Sequence, residues 1–76
     1  MFEQNIIAER ISLLMKHKNL TQQSLADAIG VSRPSITQFT SGVNLPSIKT
    51  LVTLADYFGV SLDYLCGRTD NPNVNV

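Results

Sequence analysis

The stretch Gln22-Gln23-Ser24-Leu25-Ala26-Asp27-Ala28-Ile29-Gly30-Val31-Ser32-Arg33-Pro34-Ser35-Ile36-Thr37-Gln38-Phe39-Thr40-Ser41 decides the fold of this chain. Leu25, Ala26 and Ile29 stand at i, i+1 and i+4, so a helix over them carries a single apolar stripe. Ala26 is small and lets a second helix cross close to the first. Gly30 marks the stop, because the left-handed backbone angle that ends a helix is least costly at glycine. Val31 turns inward, and the Ser32 hydroxyl is placed to cap the next helix. In that helix Ile36 and Phe39 are three apart and face the core. Arg33, Pro34, Thr37 and Gln38 fall at i, i+1, i+4 and i+5, on the opposite face. The pattern predicts two short amphipathic helices, about residues 22–29 and 33–40, joined by a tight turn.

The flanks extend the same logic. A first helix is expected over about residues 5–18, with Ile7, Ile11 and Leu14 inward and Lys16 and Lys18 favourably placed in its last turn. Leu20 plugs the gap before Thr21, the cap of the second helix. Residues 41–46, Ser-Gly-Val-Asn-Leu-Pro, read as a loop. A fourth helix over about residues 48–58 buries Ile48, Leu51, Leu54, Ala55 and Phe58 and stops at Gly59. A fifth, over about residues 62–66, is capped by Ser61 and stopped by Gly67. Residues 68–76 are rich in Asn and are expected to form a flexible tail. The only hint of a strand is a weak alternation at residues 73–76. The fold class is therefore all-α, with five helices in one domain over residues 6–67.

Composition narrows the function. Seventy-six residues make one domain, and a domain of this size buries only roughly 60% of its unfolded surface. No apolar run is long enough to span a bilayer, and Met1-Phe2-Glu3-Gln4-Asn5 lacks the features of a signal peptide. A cytoplasmic location is expected. Cys66 is the single cysteine and reads as a small apolar filler. His17 is the single histidine and reads as an exposed residue at a helix end. With one His, one Cys and no glycine-rich phosphate loop, neither a metal site nor a catalytic pair is expected. The chain reads as a non-enzyme with no cofactor and no small-molecule substrate.

The second and third helices have the layout of a helix-turn-helix, which places side chains on DNA base edges. The chain resembles the Cro/repressor-type helix-turn-helix family, also called the xenobiotic-response-element type, which includes the lambdoid phage repressors. The resemblance is carried by Gln22, Leu25-Ala26, Ile29-Gly30-Val31-Ser32, Ile36 and Phe39. Beyond the motif it continues in Ser41-Gly42, Pro46-Ser47, the helix of residues 48–60 and Ser61-Leu62-Asp63-Tyr64-Leu65. It covers residues 6–67, with caps at Thr21, Ser32, Ser47 and Ser61. Two family positions depart. An Arg in the first helix and a Glu late in the third, which commonly pair, are Met15 and Thr40 here, so both partners are missing together.

The resemblance implies a prokaryotic or phage DNA-binding regulator, acting as a repressor and a homodimer on a pseudo-palindromic double-stranded operator. Gln22 then braces the phosphate backbone. Arg33 reads guanine, its usual bidentate partner in the major groove. Gln38 meets adenine or a neighbouring edge, and Thr37 a thymine methyl or a phosphate. Pro34 either fixes the start of the third helix, with Arg33 splayed ahead of it, or touches a thymine methyl. Ser32 and Ser35 lie at the mouth of that helix, and Ser41, Asn44 and Lys49 lie where the family approaches the backbone. Tyr57, Leu62, Tyr64 and Leu65 are candidates for the dimer interface, with core packing as the alternative for Tyr64 and Leu65.

Charge shapes this expectation. Six basic and six acidic residues give a formal net charge of +0, and residues 21–46 hold only Asp27 and Arg33 as charges. DNA contacts must then rely on neutral donors and backbone amides, which do hold phosphates. A second function remains open from the same observation. It is an antitoxin-like or anti-repressor module in which the neutral face of the third helix binds protein.

Overall fold

The computed structural model describes residues 4–73 and contains five helices. They are α1 (Gln4–His17), α2 (Gln22–Ile29), α3 (Arg33–Ser41), α4 (Ile48–Phe58) and α5 (Leu62–Leu65). No strand occurs among the described residues. The alternation at residues 73–76 lies outside them except for Asn73.

Each of the four expected caps is made. Thr21, Ser32, Ser47 and Ser61 adopt extended backbone, and their hydroxyls accept the N–H of Ser24, Ser35, Thr50 and Tyr64. This satisfies one of the orphan donors at each helix start. Gly30 takes φ +78° and returns its N–H to Ala26 O, which closes α2 and sets the turn into α3. The first helix ends by a left-handed residue that is not a glycine. Asn19 adopts φ +55°, a conformation that Asn tolerates better than most residues. Leu20 N–H then reaches back to Met15 O.

α3 packs against both α1 and α2, α5 packs against α1 and α4, and α2 also meets α4. Ile7, Ile11, Leu25, Ile36, Leu54 and Leu65 are the largest fully buried side chains. Burying each contributes about 1.5–3 kcal/mol. Met15 joins this core, which gives physical sense to the missing arginine: an apolar side chain fills the space and no charge is stranded. Leu14 is only half-buried. Ile48 corrects the expected buried face of α4. It is 77% exposed, because it follows the Ser47 cap directly, while the inward stripe starts one turn later at Leu51.

The end of the described chain is tied back. Arg10 Nη1 donates to Tyr64 O (3.1 Å) and Thr69 O (3.2 Å), and Nη2 donates to Asp70 Oδ1 (2.9 Å). The guanidinium also lies 4.0 Å from the centroid of the Tyr64 ring, within cation–π range. Ser61 N–H donates to Pro72 O. Residues 68–72, expected as tail, therefore carry hydrogen bonds to α1 and to the start of α5.

Gly67 sits at the bend that sends the chain back. It has φ +80°, and a Cβ built there would lie 2.7 Å from Ile6 Cγ1 and 2.8 Å from Ile6 Cγ2. Gly67→Ala is expected to destabilise the domain by about 1–3 kcal/mol through both strain and crowding. Thermal unfolding checks this: a melting temperature lower by several degrees is expected, and an unchanged one would refute the close approach.

Candidate nucleic-acid interface

α2 and α3 set the geometry of the candidate site. Leu25, Ala26 and Ile36 are buried, so the two helices are locked together and the opposite face of α3 is turned to solvent. Ser32 Oγ accepts the Ser35 N–H (3.3 Å) and lies 2.9 Å from Ser35 Oγ. Arg33 is already helical and Pro34 stands in the first turn. The expectation of a helix that begins at Pro34, with Arg33 splayed ahead of it, is therefore corrected. The Ser32 cap outweighs the bias that proline places on its predecessor.

Arg33, Pro34, Thr37 and Gln38 together line an open concavity of about 380 Å³. Gln22 reaches in from the start of α2, and its Oε1 accepts from Thr37 Oγ1 at 2.5 Å. Thr37 Oγ1 also lies 3.3 Å from Arg33 O. Gln38 Oε1 accepts from Asn44 Nδ2 at 2.7 Å, and Ser41 Oγ donates to Gln38 O. The structure thus joins Gln22 to Thr37, and Asn44 and Ser41 to Gln38. Lys49 is exposed in the first turn of α4 and makes no side-chain hydrogen bond to this group among the described residues. Thr40 bonds back to Ile36 O, so it stays within α3.

A second region lies around α4 and α5. Tyr57 and Leu62 are exposed, and Tyr57 meets Phe58 edge to face at 5.3 Å. Tyr64 is half-buried beneath the Arg10 guanidinium. Leu65 is 0% exposed, so it is core and offers no surface to a partner, a correction to its place among the interface candidates. Two apolar residues absent from that set do offer surface. Val52 is exposed and lines one concavity with Leu62, and Ile48 stands one turn before Val52. The apolar character of Ile48 points to the core, but its place beside the Ser47 cap turns it outward. Arg10 is absent from the expected site and core residues, and its place between Ile7 and Ile11 on the inward stripe is the sequence signal for its part-buried contacts.

Among the described residues no cluster of three or more His, Cys, Asp or Glu is placed to hold a metal ion. No helix among them is long and apolar enough to cross a membrane.

Two helices crossing at a glycine turn, with a polar stripe on the outer face of the second, define a helix-turn-helix domain. A helix-turn-helix family profile matches residues 11–65, and the chain belongs to this Cro/repressor-type family. It is 38% identical over 69 residues to an uncharacterized HTH-type transcriptional regulator, YqaE, of Bacillus subtilis, covering 91% of this chain and 60% of that protein. It is 44% identical over 62 residues to the cryptic phage CTXphi transcriptional repressor RstR of Vibrio cholerae, covering 82% of this chain and 55% of the repressor. It is 37% identical over 60 residues to the HTH-type transcriptional regulator AnsR of Bacillus subtilis, covering 79% of this chain and 52% of that regulator. The chain thus spans a little over half the length of these relatives.

Cys66 is a free thiol, half-buried beside α5. Burial pushes its pKa above the ordinary thiol value, the nearby Asp63 carboxylate adds to this, and Arg68 opposes it. A raised pKa leaves less thiolate at a given pH, and the thiolate is the reactive form. Alkylation of the folded protein at pH 8 is expected to be slower than that of a free cysteine, and its pH profile displaced upward. Equal rates would show that the thiol is neither shielded nor raised.

Proposed function

We propose that this domain binds double-stranded DNA as part of a transcriptional repressor and reads the major groove with α3. The observation that carries the reading is the exposed stripe of Arg33, Pro34, Thr37 and Gln38, four side chains lining one concavity on a helix held rigidly from behind. Arg33 supplies the bidentate donor that suits guanine O6 and N7. Gln22, with its oxygen engaged by Thr37, keeps its amide N–H groups for a phosphate at the start of α2. Ser32, Ser35 and Ser41 add hydroxyls along the same edge, Pro34 an apolar contact, and Lys49 a phosphate contact from α4. The name of the phage repressor RstR supports repression.

The repressor acts as a homodimer. Each copy carries a single α3, and the half-sites of such an operator lie one helical turn apart, roughly 34–36 Å centre to centre. Two copies are needed to fill such an operator. The exposed apolar residues Ile48, Val52, Tyr57 and Leu62 on α4 and α5 are the surface that pairs them.

One observation favours a second reading. Val43 is 67% exposed and Leu45 is 43% exposed beside α3, with no Lys or Arg in the loop between them. A neutral, partly apolar face of this kind also suits a protein partner, as in an antitoxin-like or anti-repressor module.

Salt separates the two. Selection from a random duplex library at low salt is expected to enrich a two-fold symmetric motif. The slope of log K against log salt for that motif is expected to be about −2 to −4, since Arg33 and Lys49 are the cations this reading places against the DNA in each copy. Failure to enrich any motif with folded protein would support the protein-binding module. Arg33→Ala is expected to cost about 1–3 kcal/mol on the selected site and to relax preference at one base pair. An equal loss on random DNA would reduce Arg33 to a phosphate contact.

A further inference from the structure

The loop after α3 is wrapped around Gln38. The N–H groups of Gly42, Val43 and Asn44 all point to Gln38 O, at 3.1 Å for Val43 and 3.4 Å for Asn44. Ser41 Oγ donates to the same oxygen at 3.2 Å. The backbone of Asn44 is thereby fixed beside Gln38, and its side chain needs little further ordering to donate from Nδ2 to Gln38 Oε1 at 2.7 Å. Main chain and side chain thus place these two amides together independently. Gln38 Oε1 is engaged, while Gln38 Nε2, with its two N–H donors, has no partner among the described residues.

We propose that Asn44 is a positioning residue for base reading: it holds the Gln38 amide with its oxygen engaged and its N–H donors presented to the groove. Gln38 then selects a base edge that offers acceptors, guanine N7 and O6 first and thymine O4 next. A freely rotating glutamine instead favours the mixed donor and acceptor edge of adenine. Asn44 acts on sequence preference through Gln38 and makes no phosphate contact of its own. The inference rests on the reading that α3 lies in the major groove.

The polarity of the contact makes it testable. Alanine at position 44 frees the amide, so both orientations become available. Aspartate at position 44 removes the donor and supplies only acceptors. It turns the Gln38 N–H groups inward and the carbonyl outward, which favours the donor edges of adenine N6 and cytosine N4.

The experiment uses the full chain and four duplexes. Library selection with the wild-type protein, compared with Gln38→Ala, identifies the base pair that Gln38 reads. Competition binding then compares all four pairs at that position for wild type, Asn44→Ala and Asn44→Asp, with thermal melts to confirm folding. The wild type is expected to favour guanine or thymine there. Asn44→Ala is expected to flatten that preference about 5- to 10-fold and to leave other positions unchanged. Asn44→Asp is expected to move the preference to adenine or cytosine. If both variants weaken every duplex equally and keep the wild-type preference, Asn44 is a phosphate contact and the inference fails while the DNA-reading function stands. A wild-type preference for adenine at that position also overturns it. If the wild type selects no motif, the reading of α3 as a recognition helix fails, and the inference with it.

Discussion

None of these helices beyond the first is long enough to stand alone in water. Isolated helices below about 12–15 residues are marginal even with favourable sequences, and α2, α3, α4 and α5 have 8, 9, 11 and 4 residues. Each persists because a hydroxyl caps its start and its apolar stripe is buried against neighbours. The shared core of Ile7, Ile11, Leu25, Ile36, Leu54 and Leu65 is therefore a condition for the secondary structure, not only for its arrangement. The outward face of α3 inherits its precision from this core, since a helix of nine residues held by Ile36 from behind has little freedom to tilt.

That rigid placement matters more here because the surface has little charge to work with. A basic protein gains affinity from phosphates over a broad area and tolerates loose side chains. This domain brings few cations to its candidate interface, so on the proposed reading directional hydrogen bonds carry more of the discrimination. The pairs Thr37–Gln22 and Asn44–Gln38 restrain amides that would otherwise rotate. Ordering them in the free protein lowers the entropy lost on binding.

What was legible in the sequence follows from the range of the forces involved. The caps at Thr21, Ser32, Ser47 and Ser61 and the turn at Gly30 depend on residues within a few positions of each other, and the structure holds all of them. The stripe of Arg33, Pro34, Thr37 and Gln38 was legible because helical periodicity alone gathers it. Ile48 was misplaced because apolar character was read as burial, whereas the Ser47 cap puts it on the outer side. Leu65 was ambiguous for the opposite reason, since α5 has too few residues to show a periodicity. The contacts of Arg10 and Asn44 were illegible because their partners are set by tertiary contact and loop geometry.

The clamp at Arg10 joins residues 54 to 60 positions apart. On a ribosome, α1 emerges long before Tyr64, Thr69 and Asp70 exist. During that interval the guanidinium has no partner, and the stripe of Ile7 and Ile11 lacks the α5 side of its core. Closing so long a loop also carries a larger entropy cost than the local contact of α2 with α3. The α2–α3 pair closes across one short turn, whereas the two ends are sealed together only across nearly the whole length of the domain.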